Sequence, residues 1–194
     1  MREVSGDRAL HSAPDFVLQR HGTPPQHTFE ALLTRTLSAA LAVCFLSPAL
    51  AAQGVSLDVG SKAPSAIVQT LDGKPFDIGS YIGKTPVVLE FWATWCSLCK
   101  DLEPELRAAH AKYGKQVKFV GIAVSINQTP QRVKLYAAKH KLPLEVYFDK
   151  KGDASTAYDV IATSTIVVID RKGLVVYTGQ GGDQEIEAAI KKAL

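Results

Sequence analysis

Apolar runs with strand character alternate with segments of helical periodicity from about residue 60 to the C-terminus. The runs at 87–92 and 118–125 are almost continuously apolar and contain several Val, Ile and Phe residues. This pattern is typical of strands that are buried on both faces of a sheet. Between the two runs, apolar residues recur at helical spacing up to Tyr113, and Gly114 provides a stop signal. The pattern therefore predicts two buried strands connected by a helix.

Further elements are predicted on both sides of this unit. Asp72-Gly73 lies between two short strand patterns, which indicates a β-hairpin, and Thr129-Pro130 is a helix start. The predicted elements are strands at 66–70, 75–78, 144–148, 165–170 and 174–178, a helix from 129, a short helix near 156–160, and a C-terminal helix with Ile186, Ala189, Ile190 and Ala193 on one face. This order predicts an α/β sandwich with a mixed central sheet.

The first fifty residues differ in composition from the rest of the chain. Residues 37–46 are apolar and uncharged, Arg35 precedes them, and Ala49-Leu50-Ala51 matches a small-x-small cleavage signal. This layout is typical of a secretory signal peptide, and the apolar run is short for a membrane span. We therefore expect a leader at 1–51 and one domain at 52–194. The expected location is the periplasm, with retention at the membrane by an uncleaved leader as the alternative.

The start of the chain and its charge bear on this interpretation. Residues 1–34 form a polar stretch that is longer than the charged segment of a usual signal peptide, so we expect the natural start to lie downstream of Met1. The net charge of +3 over 194 residues is small and dispersed, which argues against nucleic acid as a partner. Of the three cysteines, Cys44 lies in the leader, so the exported domain would hold only Cys96 and Cys99. A pair of thiols retained in an oxidising compartment indicates a use for both.

The strongest chemical signal is the Cys-x-x-Cys motif at the junction of strand 87–92 and the following helix. The first thiol then lies at a helix N-terminus, where backbone N–H groups and the helix dipole favour a thiolate. The second thiol lies one turn further on, within reach of a disulfide. Half of a structural zinc site is the alternative, but His110 and His140 look like ordinary helix residues and no ligand set is complete. We therefore predict a redox dithiol, with no metal and no organic cofactor.

The run from Phe91 to Lys100, with its Trp-Cys-x-x-Cys-Lys core, resembles the thioredoxin superfamily and, more narrowly, its exported TlpA/ResA-like branch. Pro104, five residues after Cys99, matches the kink of the first long helix in this family. Residues 64–78 resemble the N-terminal β-hairpin extension of the branch, and 129–148 its central insertion. The resemblance implies a thioredoxin-like three-layer α/β sandwich over residues 60–194.

The resemblance also implies roles for individual residues. Cys96 corresponds to the exposed nucleophile, Cys99 to the resolving thiol and Glu90 to a buried acid beneath them, while Trp95 would shield the sulfurs. A carboxyl group inside an apolar strand is costly to ionise, so we expect burial to raise the pKa of Glu90 and allow it to exchange a proton with Cys99. The alternative places Glu90 on an edge strand, facing water.

One loop departs from the family pattern. The family places a cis-proline just before the strand at 165–170, where this chain has Ser164, and no proline follows Pro143. A cis bond before serine costs about 3–4 kcal/mol, so we expect a trans or strained Thr163–Ser164 link. Thr163 and Ser164 are expected to belong to the loop that contacts the substrate. From the sequence, Ser164→Pro is expected to raise the rate toward a generic disulfide.

The expected function is that of an exported thiol–disulfide oxidoreductase. Its Cys96–Cys99 dithiol would reduce disulfides of exported partners of the cytochrome c maturation or metal-site assembly type. We expect a monomer whose dithiol is recharged by a membrane-bound thiol donor. One alternative is a copper-binding metallochaperone with the dithiol as its ligands. A peroxiredoxin-like peroxidase fits less well, because Ala93 stands where such enzymes carry Thr, three residues before the nucleophile.

Overall fold

The computed structural model describes residues 55–194, so the leader predicted at 1–51 lies outside the described part of the chain. Seven strands form one mixed sheet, and four α-helices pack on it. The elements are β1 (Ile67–Thr70), β2 (Pro75–Asp77), β3 (Val87–Trp92), α1 (Ser97–Tyr113), β4 (Lys118–Val124), α2 (Pro130–His140), β5 (Glu145–Asp149), α3 (Asp153–Ala157), β6 (Thr165–Ile169), β7 (Val175–Gln180) and α4 (Ile186–Ala193).

The strand order across the sheet is β2-β1-β5-β4-β3-β6-β7. Strands β3, β4 and β5 are parallel, whereas β6 and β7 join antiparallel beside β3. The β1–β2 hairpin adds antiparallel at the edge of β5. The mixed sheet and the N-terminal hairpin extension predicted from the sequence are therefore confirmed.

Successive side chains of a strand point to opposite faces of the sheet, and in β3 both faces are covered by other parts of the protein. Val88 belongs to a cluster with Leu106 of α1 and Ile190 of α4. On the other face, Phe91 lies against the ring of Tyr158, with 5.6 Å between the ring centroids. All six residues of β3 are buried, as its continuous apolar pattern predicted.

The predicted insertion consists of α2 and β5, and α2 lies against the same side of the sheet as α1. Thr129 caps α2 by accepting a hydrogen bond from the Arg132 N–H, and Pro130 occupies the first turn. At the other end, Arg107 of α1 donates a hydrogen bond to the Lys141 carbonyl at 2.8 Å and another to the His140 carbonyl. The C-terminus of α2 is thereby tied to the middle of α1.

Helix α3 and strand β7 differ most from their predicted bounds, and several other strand ends differ by one residue. Helix α3 begins at Asp153, three residues before the predicted start, because the Asp149 carboxylate accepts hydrogen bonds from the N–H groups of Ala154 and Ser155. The Asp149 side chain at the end of β5 thus determines where α3 begins, and the spacing of apolar residues does not predict this. Strand β7 also continues to Gln180, where it pairs with Thr165.

Candidate active site

The Cys-x-x-Cys motif lies where β3 passes into α1, as predicted. Cys96 is the N-cap residue of α1, and its Sγ accepts a hydrogen bond from the Cys99 N–H at 3.0 Å. In the dithiol form, this N–H group and the positive end of the helix dipole would therefore both stabilise negative charge on the Cys96 sulfur. Cys96 and Cys99 form a disulfide in the structure, with 5.3 Å between their Cα atoms.

Neither cysteine is exposed in this disulfide form. Only 4% of the surface of Cys96 and 7% of that of Cys99 is accessible, which corrects the expectation of an exposed nucleophile. Both residues belong to an apolar cluster that includes Trp92 of β3 and Val133 of α2. The insertion therefore contributes to the burial of the cysteine pair. The sequence around the motif does not predict this burial, because α2 is distant from the motif in the chain.

Glu90 lies in the middle of β3, between β4 and β6, and 3% of its surface is accessible. The burial predicted from its apolar neighbours is confirmed, and the alternative of an edge strand facing water is wrong. Burial raises the pKa of Glu90 to about 8, and the nearby carboxylate of Glu103 is the second cause. The carboxyl group is therefore poised to take or release a proton near neutral pH.

The side chains of Glu90 and Cys99 line one small cavity, which we call the Glu90 cavity. Its walls come from β3, from α1 and from the insertion. The lining residues are Glu90, Trp92, Ala93, Cys99, Glu103, Leu106, Tyr136, Leu142, Pro143 and Leu144. The structure thus places the predicted acid and the predicted resolving thiol on the walls of the same cavity.

Trp95 forms one wall of a groove beside the motif. Its indole N–H donates a hydrogen bond to the Ile126 carbonyl at 2.8 Å, while 42% of its surface stays accessible. Ile161 and Thr163 also line this groove, and its volume is about 320 Å³. We call this the Trp95 groove. Trp95 and Thr163, two of the predicted substrate-contact residues, therefore share one surface.

Ser164 does not share that surface, because it is wholly buried. Its N–H donates to the Phe91 carbonyl at 2.9 Å, and its hydroxyl donates to the Gly181 carbonyl at 2.7 Å. Its carbonyl accepts from the Gln184 side chain at 3.0 Å. The backbone φ of Ser164 is +62°, a left-handed conformation that is strained for a residue with a Cβ. The strain therefore lies in the φ angle of Ser164 itself, and direct contact of the buried Ser164 side chain with a substrate is not possible in this conformation.

The conformation of Ser164 reverses the expected effect of Ser164→Pro. Proline requires φ near about −65° and has no N–H, so the variant loses the bond to Phe91 and clashes with the present backbone. We expect the free energy of unfolding to fall by about 3 kcal/mol in urea denaturation, and disulfide turnover to fall with it. Ser164→Gly is the matched control, because glycine adopts positive φ and loses only the hydroxyl bond. A Ser164→Pro variant as stable as the wild type would contradict this.

Three residues that the sequence did not single out also shape the site. Gln128 accepts a hydrogen bond from the Thr94 N–H at 2.9 Å and so holds the turn that precedes Cys96. Glu103 and Arg107 form an ion pair on α1. A lone loop glutamine carries no sequence signal, whereas Glu103 follows Cys99 by four residues and one helical turn brings it to the same face.

The two histidines that were weighed as zinc ligands pack against aromatic rings instead. His140 stacks on Tyr136 at 4.0 Å between ring centroids, and His110 meets the Phe119 ring edge-on at 5.1 Å. Within residues 55–194, no three His, Cys, Asp or Glu side chains come together in a group suited to a metal ion.

Comparison with known proteins agrees with this geometry. Residues 59–178, more than half of the chain, match the model of the AhpC/TSA family. The thiol–disulfide oxidoreductase ResA of Bacillus thuringiensis is 31% identical over 138 residues, which cover 70% of this chain and 79% of ResA.

Solved structures with the same fold carry related names. A thiol:disulfide interchange protein of the thioredoxin family from Chlorobium tepidum aligns with a TM-score of 0.58 and 28% identity, over 71% of this chain and 98% of its own. A secreted disulfide oxidoreductase of Mycobacterium tuberculosis, homologous to DsbE of E. coli, aligns with a TM-score of 0.56 and 28% identity, over 66% of this chain and 93% of its own. The chain therefore belongs to the AhpC/TSA family, and it is a thioredoxin-fold thiol–disulfide oxidoreductase similar to ResA.

Proposed function

We propose that this oxidoreductase reduces disulfides of exported partner proteins through Cys96 and Cys99. The observation that carries the proposal is the position of the pair, with Cys96 at the N-cap of α1 and Cys99 on the wall of the Glu90 cavity. In the first step the Cys96 thiolate attacks one sulfur of a partner disulfide. A mixed disulfide forms, and the other partner sulfur leaves as a thiolate that takes a proton from water.

The second step resolves the mixed disulfide. Cys99 gives its thiol proton to the Glu90 carboxylate and attacks the Sγ of Cys96, so that the second partner sulfur leaves as a thiolate. The partner has then gained two electrons, and the protein holds the Cys96–Cys99 disulfide seen in the structure. Burial, which raises the pKa of Glu90 to about 8, brings its proton affinity close to that of a thiol. A membrane-bound thiol donor would return the pair to the dithiol.

Export of this chain rests on the apolar run at 37–46 and on the secreted M. tuberculosis relative. Within the described residues, no helix combines the length and the apolar character that a bilayer crossing requires. The proposed partners are proteins whose cysteines must be reduced before haem attachment or metal-site assembly. This class of partner follows from the family resemblance, and the protein is proposed to act on them as a monomer.

An equilibrium redox titration of the purified domain tests the direction of electron flow. We expect a reduction potential at or below about −250 mV in a dithiothreitol or glutathione buffer, because such a pair donates electrons in the manner of thioredoxin. A potential near about −120 to −180 mV would instead indicate an oxidant or isomerase. Peroxide turnover and Cu(I) binding are measured alongside, because they would favour the peroxidase and metallochaperone alternatives.

The Trp95 groove is the surface on which a partner is proposed to dock, since three large apolar side chains beside the motif are accessible there. The accessible fractions are 42% for Trp95, 62% for Ile126 and 74% for Ile161. We expect Ile161→Glu to lower kcat/KM toward a protein disulfide by about tenfold, through loss of apolar contact. Reaction with a small disulfide is expected to be unchanged. Leu135→Glu is the matched control, because Leu135 is 73% accessible and does not line the groove. Equal losses in both variants would contradict the docking site.

A further inference from the structure

The Glu90 cavity has room for one water molecule. The space inside it that is open to the centre of a water is about 10 Å³, close to the minimum that a single bound water needs. Its lining includes the carboxyl groups of Glu90 and Glu103, the sulfur-bearing Cys99 and the indole of Trp92. A buried water normally requires two to four polar partners, and this set supplies them.

Trp92 gives an independent indication of a ligand in the cavity. Its indole Nε1 is buried and has no hydrogen-bond partner among residues 55–194. Buried indole N–H groups usually find an acceptor, because leaving one unpaired costs about 1–3 kcal/mol. The indole lies across Gly121 of β4, where an added Cβ would come within 2.9 Å of Nε1. The glycine thus makes space for the ring beside the cavity.

Glu103 connects this cavity to the protein surface. Its side chain retains 19% of its accessible area, and its carboxylate is held by the guanidinium of Arg107. Arg107 is itself fixed by the carbonyls at the end of α2. Glu103 therefore contacts both the cavity and solvent. Its orientation is fixed by Arg107 of α1 and, through Arg107, by the C-terminal end of α2.

We propose that the Glu90 cavity binds one water molecule and that Glu103 uses it to pass protons between Glu90 and solvent. The indole N–H of Trp92 donates to the water oxygen, and the water donates to the carboxylates. This inference rests on the proposed function, in which Glu90 takes the thiol proton of Cys99. That proton then moves through the water to the Glu103 carboxylate and on to bulk solvent, which leaves Glu90 ionised for the next cycle. No electrons move in this step, and the path runs in reverse when the disulfide is reduced.

A purely structural role for Glu103 is the competing explanation, because its ion pair with Arg107 also braces α2 against α1. The variants Glu103→Gln and Glu105→Gln distinguish the two roles. Both remove one negative charge from α1, but Glu105 does not line the cavity. Because the Glu103 charge itself raises the pKa of Glu90, both roles predict a lower Glu90 midpoint in Glu103→Gln. Only the proposed role predicts that the resolution of a mixed disulfide also slows in Glu103→Gln and keeps its wild-type rate in Glu105→Gln.

The test uses NMR on the folded domain and does not depend on turnover. We expect a nuclear Overhauser effect between the Trp92 indole proton and a long-lived water in the wild type. In Glu103→Gln, the midpoint of the ¹³C-carboxyl titration of Glu90 is expected to fall by about one pH unit, because a nearby like charge is gone. Glu105→Gln and the conservative Glu103→Asp are expected to keep the wild-type midpoint within about 0.3 unit, since both retain the carboxylate at position 103.

Two results would overturn the proposal: no water signal at Trp92, or the same rate of mixed-disulfide resolution in Glu103→Gln and Glu105→Gln. The water signal decides the matter even where Glu103→Gln fails to fold. The kinetic measurement is the rate at which Cys99 resolves a mixed disulfide, followed by stopped flow between pH 6 and 9.5. Where proton release limits this rate, we expect it to be about tenfold lower in Glu103→Gln than in the wild type. Wild-type protein that reduces no disulfide would refute the proposed function, whereas an unchanged resolution rate in Glu103→Gln would refute only the relay.

Discussion

Replacement of Cys96 by serine is expected to abolish the reduction of partner disulfides, with a loss of at least about a thousandfold. Cys96 is the N-cap residue of α1, and its sulfur already accepts the Cys99 N–H in the disulfide form. The same donor and the helix dipole would stabilise the attacking thiolate, and a serine hydroxyl at this position stays protonated. The measurement is turnover of a protein disulfide with dithiothreitol as the electron source.

Cys99→Ser provides the complementary result. Cys96 still attacks in this variant, but no thiol resolves the product, so the partner is expected to remain bound as a mixed disulfide on a non-reducing gel. The assignment of roles would be wrong if Cys96→Ser trapped partners and Cys99→Ser did not.

Replacement of Glu90 by glutamine is expected to stabilise the protein at neutral and higher pH while slowing the resolving step. Burial raises the pKa of Glu90 from its usual 4.5 to about 8. Between these two values the folded state holds a proton that the unfolded state has released, so the free energy of unfolding falls as pH rises. The loss, relative to stability below pH 4.5, reaches roughly 2–4 kcal/mol by pH 8. Glutamine keeps the size of the side chain and has no charge to bury.

Urea denaturation of both proteins from pH 4 to pH 8 measures this effect. We expect the free energy of unfolding of the wild type to fall with rising pH more steeply than that of Glu90→Gln. In a separate kinetic measurement, we expect the rate of mixed-disulfide resolution to be about 10²-fold lower in the variant. Glu187→Gln is the control, because Lys112 and Lys191 lower the pKa of this exposed carboxyl to about 2. Its contribution is present above the unfolded value and is lost only as pH falls, so this variant should keep the wild-type slope above pH 5. Equal slopes in the wild type and Glu90→Gln would contradict a raised pKa.

Most of the secondary structure follows from local patterns in the sequence. Strand β3 needed only its apolar run, which Glu90 alone interrupts, and α4 only the spacing of Ile186, Ala189, Ile190 and Ala193, all of which are buried. The position of Cys96 at the start of α1 was also predictable, because it depends only on residues that are adjacent in the chain. Burial of Glu90 was also predictable, since apolar neighbours on both sides leave a central strand no exposed face.

The surroundings of the site came from residues distant in sequence. The insertion brings Tyr136 and Leu144 over Glu90 and helps to bury the cysteines, so the accessibility of Cys96 depended on packing that no motif describes. At Ser164, the left-handed backbone is held by hydrogen bonds to Phe91, Gly181 and Gln184, which offset its strain. The sequence by itself therefore determined the elements and the redox pair, because periodicity and helix capping are local. The environment of Glu90 and the shape of the Trp95 groove were decided by tertiary structure, because desolvation and backbone strain depend on which distant groups come into contact.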